Sequence, residues 1–309
     1  MDRLTYFKHT ASAQSLPSPN GTYIATILPG KLTIRVTRSL EISRVITLPP
    51  DFTLSVHWLI WSPSARRVLL STTELIRVFS VVDERFVGVI SNPTSGTPQI
   101  TYIAFGATDD EICVFSDFGL KLTIFNLVTS TSIDISCPKL FNSINASKGY
   151  SYRPQTSNLA LLTRGSGKDI VSIHARTSYE VLRSWHPDTI DAPQISWSPD
   201  GKWLAVVESA SQGHKIVFYT ADGHLYRSWR GPMGTSNEGQ DVTMGAGVKL
   251  IAWNSIGDCL AVADYSSNVT LLSAPWLTET MSLKHTAIIK PTSTLQVGES
   301  YGECLASAS

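Results

Sequence analysis

Seven histidines, at positions 9, 57, 174, 186, 214, 224 and 285, are the side chains of this 309-residue chain best suited to hold a metal or move a proton. No two of them stand at metal-ligand spacing on one element, so the sequence assembles no metal or acid–base site from them. His214 and His224 fall in turns between apolar runs, where a solvated surface role is expected. Cys113, Cys137, Cys259 and Cys304 include no CxxC pair, which argues against a zinc knuckle or a redox dithiol. Cys113 and Cys259 lie inside apolar runs and are expected to be small core residues. Asp109-Asp110-Glu111 could ligate calcium, but it occupies the place that a Pro-Asp-Gly turn fills elsewhere, so turn chemistry is expected. Gly165-Ser166-Gly167-Lys168 is too short for a phosphate-binding loop and no helix follows it, and neither a GxGxxG after a strand nor a Gly-x-Ser-x-Gly elbow is present. Arg227, Arg230 and Lys249, with Trp229, make the nearest thing to a basic-aromatic patch, yet a nucleic-acid surface would carry more charge. The sequence therefore offers no catalytic, cofactor-binding or metal-ligating residue, and a non-enzymatic protein is expected.

Composition agrees with a folded chain of balanced charge. Hydrophobic residues make up 42% and charged residues 16%, with 25 basic and 25 acidic side chains. A formal net charge of zero disfavours a general nucleic-acid or acidic-membrane surface. The first residues, Met1-Asp2-Arg3-Leu4-Thr5-Tyr6-Phe7-Lys8, contain no continuous apolar stretch of the signal-peptide kind. No apolar run approaches the roughly 20 residues that span a bilayer. A soluble, intracellular protein is expected, and Asn20-Gly21-Thr22, Asn145-Ala146-Ser147 and Asn268-Val269-Thr270, which match glycosylation sequons, are then turn residues.

The organising pattern is a repeat. Gln194–Trp229 reads as four short strands: Ile195–Trp197, Trp203–Val207, Lys215–Thr220 and Leu225–Trp229. Ser198-Pro199-Asp200-Gly201 supplies one turn, Ser209–Gly213 a polar loop, and Asp222-Gly223 a two-residue hairpin. Counterparts of Trp197 stand at Pro17, Trp61, Phe105, Tyr152 and Trp253, giving intervals of 44, 44, 47, 45 and 56 residues. Each is followed by a second apolar run (Tyr23–Leu28, Val68–Leu70, Ile112–Phe115, Leu159–Leu162, Cys259–Ala263). A third comes next (Leu32–Val36, Ile76–Phe79, Leu122–Phe125, Ile170–Ile173, Val269–Leu272). Such a period, with an aromatic residue closing the first strand, predicts four-stranded blades of a β-propeller.

The expected architecture is all-β, one WD-repeat-like propeller domain over residues 1–290. Its six blades lie near residues 13–48, 54–90, 99–135, 149–185, 194–229 and 248–283. Pro49-Pro50-Asp51 is expected to break the chain before blade two, which begins with Leu54–Trp61, and Arg164–Lys168 to form a five-residue turn. Cys137–Lys148 reads as an irregular link, and Arg230–Gly247, with five glycines, as either a solvated insertion or a partner-contacting loop on one rim. Residues 4–8 would suit a terminal strand that joins the last blade. Residues 291–309 read as a tail with at most one extra strand, at Thr294–Val297. Six blades either close alone or form part of a larger ring. No third strand ends in Trp-Asp and no Gly-His pair opens a blade, so the Asp–His–Ser/Thr–Trp relay of standard WD repeats is not assignable. Blade packing is then expected to rest on apolar contacts and turns.

Arg176–Ser184, Gln194–Trp203 (QISWSPDGKW), Lys215–Tyr226 (KIVFYTADGHLY), Lys249–Asp264 (KLIAWNSIGDCLAVAD) and Ala274–Thr278 (APWLT) resemble consecutive segments of one family, and Pro19–Ala25 resembles its N-terminal unit. It is the WRAP-type WD-repeat family of centrosomal and spindle-pole-body proteins. The resemblance spans about residues 4–290 and is clearest over 176–285. It implies a non-enzymatic scaffold in the cytoplasm and cytoskeleton that docks a coiled-coil partner at the spindle pole. In fungi the family's members also help target a minus-end-directed kinesin-14 motor, reached through that partner, so that microtubule minus ends stay anchored at the pole. The family continues with further repeats, so this chain is expected to be C-terminally short. A propeller of similar blade pattern in translation initiation or RNA-associated complexes is the alternative. Neither partner-contacting residues nor a cofactor is implied.

Overall fold

In the computed structural model, the described residues are 14–94, 100–139, 148–231, 233–235, 241–243, 246–274 and 278–284. They form six four-stranded antiparallel sheets, each a meander with its strands in chain order. Sheet one holds β1 (Ser15–Pro17), β2 (Tyr23–Leu28), β3 (Lys31–Val36) and β4 (Ile42–Thr47). Sheet two holds β5 (Trp58–Trp61), β6 (Arg67–Ser71), β7 (Leu75–Ser80) and β8 (Val87–Ser91). Sheet three holds β9 (Ile100–Phe105), β10 (Glu111–Ser116), β11 (Lys121–Asn126) and β12 (Thr131–Ser136). Sheet four holds β13 (Tyr150–Tyr152), β14 (Leu159–Gly165), β15 (Lys168–His174) and β16 (Val181–Trp185). Sheet five holds β17 (Gln194–Trp197), β18 (Trp203–Val207), β19 (Ile216–Thr220) and β20 (Leu225–Trp229). A hairpin of β21 (Met233–Thr235) and β22 (Asp241–Thr243) precedes sheet six, which holds β23 (Val248–Trp253), β24 (Cys259–Asp264), β25 (Asn268–Ser273) and β26 (Thr278–Lys284). The chain divides into two compact units, residues 1–136 with sheets one to three and residues 137–309 with sheets four to six.

The middle strands show why each sheet needs neighbours. β10 is buried at all six positions, and β6 and β18 at all but the first. Strands apolar on both faces must be covered on both. The fourth strands β4, β8 and β12 instead alternate, one face half-buried and the other exposed. Within the first unit, Trp61 joins Ala25, Leu32 and Ile34 of sheet one in one cluster, and Phe105 joins Leu69, Ile76 and Val78 of sheet two in another. Within the second, Trp197 packs with Ala160, Leu162 and Val171 of sheet four, and Trp253 lies against Ala205, Phe218 and Trp229 of sheet five. The aromatic residue that closes each of these first strands thus reaches back to the preceding sheet. Trp61 adds a hydrogen bond there, its Nε1 donating to the Leu16 carbonyl at 2.9 Å.

The turns after these strands are built by side chains. Ser198 Oγ donates to Asp200 Oδ1 at 2.6 Å and accepts the Trp203 amide at 3.0 Å, while Gly201 takes φ of 65°. Ser18, Asn20 and Tyr23 repeat that geometry at 2.8 and 2.9 Å. Ser62 keeps only the acceptor half, toward Arg67. The serine of Ser-Pro-Asp-Gly caps the next strand, the acid orients the serine, and the glycine supplies the positive φ.

Several local expectations need correction. Leu54 does not begin a strand: Pro50–Leu54 is a short helix, and β5 starts only at Trp58. Pro50 sits in its first turn beside Asp51, where a missing amide is harmless and a fixed φ favours the helix. The five-residue turn at 164–168 is in fact a two-residue hairpin, because Gly165 pairs with Lys168 and Ser166 and Gly167 take φ of 51° and 78°. The Asp222-Gly223 connection is longer than two residues: Ala221–His224 join β19 and β20 and the register shifts after Phe218. The 230–247 insertion contains the β21–β22 hairpin. Sheet six takes all four strands from residues 248–284. The strands suggested at 4–8 and 294–297, the 291–309 tail and Trp276 lie outside the described residues.

Trp197 is the anchor of the best-formed repeat and is only 5% exposed. Trp197→Ala is expected to lower stability by about 3–5 kcal/mol through the lost packing and the cavity left behind. A urea or thermal unfolding curve checks this, and an unmoved transition contradicts it.

Candidate functional site

An antiparallel meander puts its second-to-third turn at one end of the sheet, where the chain also leaves for the next sheet. In the second unit this end is fastened by buried carboxylates. Asp169, at the start of β15, is 2% exposed and pairs with Lys139 Nζ at 2.7 Å. Its other oxygen accepts the Ala192 amide at 2.6 Å. Lys139 also reaches Asp191 at 2.7 Å, and Arg164 bonds the same carboxylate at 2.9 Å. The hydrogen bond from Lys139 holds the Asp191 carboxyl below its ordinary range despite partial burial. Glu208, just after β18 and 1% exposed, accepts the amides of Ile190 at 2.7 Å and of Asp191 and Ser209 at 2.9 Å. The Asp188 amide donates to Tyr219 Oη at 2.7 Å, and Lys215 pairs with the Asp188 carboxylate at 3.0 Å. Burial raises the Tyr219 phenol, so it stays protonated at this contact. The link 186–193 between sheets four and five is thus gripped from both.

Sheets five and six are joined in a similar way. Asp264, at the end of β24, faces His214 Nε2 at 3.2 Å and accepts the Asn268 amide at 2.7 Å, Asn268 Nδ2 at 2.9 Å and the Ser266 amide at 2.8 Å. Burial opposes ionisation of Asp264, but these donors outweigh it and its carboxyl lies below the ordinary range. His214 stands edge-on to Trp229, ring centroids 6.1 Å apart. Gly231, at φ of 77°, packs on it so closely that any side chain there would overlap the imidazole.

These groups are spent on one another. Ile190 and Tyr265, 62% and 52% exposed, and the Ser209–Gly213 loop are left for solvent or a partner, with Lys249 Nζ 5.9 Å from the Tyr265 ring centroid. Among the described residues no group of three or more His, Cys, Asp and Glu side chains is arranged to hold a metal. No helix among them is long and apolar enough to cross a membrane. The arrangement can present fixed loops to another macromolecule.

The residues singled out in the sequence fall as follows. His214 is not a solvated turn residue; it is buried, because its loop folds down onto Asp264 of the next sheet. His224 and His57 are exposed, and His174 is buried between Ser172 Oγ at 2.9 Å and the Tyr179 carbonyl at 2.8 Å. His186 Nδ1 lies 3.0 Å from the Asp169 carbonyl. Asp109 accepts from Ser64, Asp110 pairs with Arg67, and Glu111 is buried in β10, so the acidic triplet is divided among three jobs. Trp229 is core, which removes it from any open patch with Arg227, Arg230 and Lys249. Cys113 is buried as expected, but Cys259 is half-buried, its thiol raised by burial and by Asp258. Cys137 is exposed, and Cys304, His9 and His285 lie outside the described residues. Sequence reasoning missed Lys139, Asp169, Glu208 and Asp264. The only signal was a carboxylate next to an apolar run, as in Val206-Val207-Glu208. The links between sheets are also fastened by the polar contacts of these buried side chains, against the expectation that apolar contacts and turns would suffice.

Lys139→Met leaves Asp169 buried without its counter-charge and is expected to cost about 3–5 kcal/mol, read from urea unfolding. The Asp191 and Asp264 carboxyls are depressed in the folded state, so their contribution is present above the unfolded value of about 3.9 and is lost as pH falls through the lower folded one. The wild-type melting temperature should therefore drop on acidification below about pH 4. Asp264→Asn should start lower at neutral pH and lose less over that window, as circular dichroism melts in a buffer series would show.

No family model matches the chain. An uncharacterized WD repeat-containing protein of Schizosaccharomyces pombe is 24% identical over 274 residues, which is 86% of this chain and 53% of that protein. The WD repeat-containing protein WRAP73 of Mus musculus is 25% identical over 258 residues, 83% of this chain and 51% of its own length. The chain spans about half the length of these curated relatives. Among solved structures, the Cps50 (Swd1) β-propeller domain of Myceliophteria thermophila superposes with a TM-score of 0.52 at 10% identity, covering 91% of this chain and 89% of the other. KlHsv2 carrying a Gly-Ser linker in place of loop 6CD gives 0.58 at 12% identity, covering 89% and 82%. The fold is that of a WD-repeat-like β-propeller, and over most of its length the chain is similar in sequence to WD-repeat proteins that include WRAP73.

Proposed function

We propose that this chain is a non-enzymatic scaffold at the spindle pole body or centrosome, where it docks a coiled-coil partner and helps anchor microtubule minus ends and organise the mitotic spindle. The similarity to WRAP73 over 83% of the chain carries this reading. WD-repeat propellers in general work as protein-binding scaffolds, and the loop-bearing end of the second unit suits that work. Its links are fastened from below by Asp169, Glu208 and Asp264, so a partner meets loops already ordered and forfeits little entropy in ordering them. A coiled coil would lay an apolar helical stripe across such a surface. A kinesin-14 motor then comes through the coiled coil.

A fluorescent fusion imaged in dividing cells tests the proposal. Foci at the two spindle poles, together with recovery of a coiled-coil pole protein in a pull-down, are expected. Diffuse signal, or co-sedimentation with ribosomal particles through salt-sensitive RNA binding, overturns the spindle-pole reading and favours a role in translation.

A further inference from the structure

One cleft belongs to no part of this scheme. It has a volume of about 510 Å³ and lies in the first unit, between the outer strand of sheet one and sheet two. One wall is the whole run Ile42–Leu48; the other is Arg77, Phe79, Glu84 and Val87. β4 is the edge of its sheet, paired only with β3 among the described residues. The Leu48 amide donates to the Gly30 carbonyl at 2.9 Å, which sets the phase of the ladder. Antiparallel alternation then turns the amides and carbonyls of Val45 and Thr47 away from β3. Arg44 fixes the width of the cleft by donating to the carbonyls of Ser80, Asp83 at 3.2 Å and Glu84 at 2.9 Å.

Arg77 gives the cleft its chemistry. Its guanidinium lies 5.0 Å from the Phe52 ring centroid, and its Nε is buried with no hydrogen-bond partner. It forms no ion pair among the described residues, although Glu84 lines the same cleft. A half-buried cation on an aromatic face, beside an open strand edge, fits a ligand that brings both a carboxylate and a strand's backbone groups. Ile46 and Phe79 supply an apolar floor for its other side chains, while Val45 and Val87 remain about half exposed beside it.

We propose that this cleft binds an extended acidic segment of a partner protein, which adds to β4 as a fifth strand and sets a carboxylate against Arg77. The inference rests on sheets one and two alone and stands whether or not the chain localises to the spindle pole. The test is fluorescence anisotropy with a labelled, end-capped heptapeptide, Thr-Val-Thr-Asp-Val-Thr-Val. Saturable binding is expected, weakened at least tenfold when the peptide's Asp is replaced by Asn. In Arg77→Gln the Asp and Asn peptides should bind alike. A peptide N-methylated at alternate amides should bind at least tenfold more weakly in one of its two phases, a readout that leaves the protein untouched. Val45→Pro, which removes an outward amide from an edge strand, should have the same effect. Absence of saturable binding, equal binding of both N-methylated phases, or an Asp preference that survives Arg77→Gln would overturn the proposal.

Discussion

Everything in this fold depends on sheets that cannot stand alone. β10 and β18 carry apolar side chains on both faces, so a sheet built around them exposes two hydrophobic surfaces until neighbours cover both. The repeat is the answer to that constraint. One unit recurs, and within each compact unit of the chain a recurrence covers the one before it. The large residue closing a first strand is the piece that reaches back, as Trp61 does to Ala25 and Leu32 and Trp197 to Ala160 and Leu162. At roughly 25 cal/mol per Å² of apolar surface, a buried indole of some 200 Å² is a substantial fraction of a domain's marginal stability.

Apolar layers alone would leave the sheets free to slide, because the hydrophobic effect has no direction. The polar contacts supply register. Lys139–Asp169 and His214–Asp264 are buried deeply enough that neither partner can be left unpaired, so each demands one arrangement of the elements that carry it. Glu208 does the same through three backbone amides. Such groups add less net stability than their Coulomb energy suggests, since their desolvation offsets much of it. Their effect is to make the wrong arrangement expensive.

Much of this was legible in the sequence. The four-strand unit could be read because Ser-Pro-Asp-Gly and its variants mark the same turn each time, and their side chains are the cap that starts the next strand. What escaped was of two kinds. Pro49-Pro50 looked like a pure breaker because a proline's local effect differs at a helix's first turn and in its interior, and only the following residues decide between them. His214 looked like a solvated turn residue and Glu208 drew no reading at all, because their partners, Asp264 and the Ile190 amide, belong to other sheets or links. A pairing across the repeat leaves no trace in local periodicity. The same blindness hid the cleft beside β4, whose walls are residues 42–48 and 77–87, far apart in the chain.

The division of labour follows from where each kind of interaction sits. The most buried middle strands, β6, β10 and β18, are engaged with their neighbours and have little to offer a partner. Recognition is left to the two places where the repeat ends: the loops, and the outer strands. The loops of the second unit are stiffened by the carboxylates beneath them, so what they present is shape. Among the outer strands of the first unit, β4, like β8 and β12, ends its sheet among the described residues, and β4 has Arg77 beside it in a cleft. An open edge is ordinarily a hazard, because any extended chain can pair with it. Here Arg44 bridges to sheet two beside that edge, and in the proposed binding mode the width and charge of the cleft select the strand that pairs with it. What the fold needs for its own stability and what it exposes to others are therefore carried by different strands of the same repeated unit.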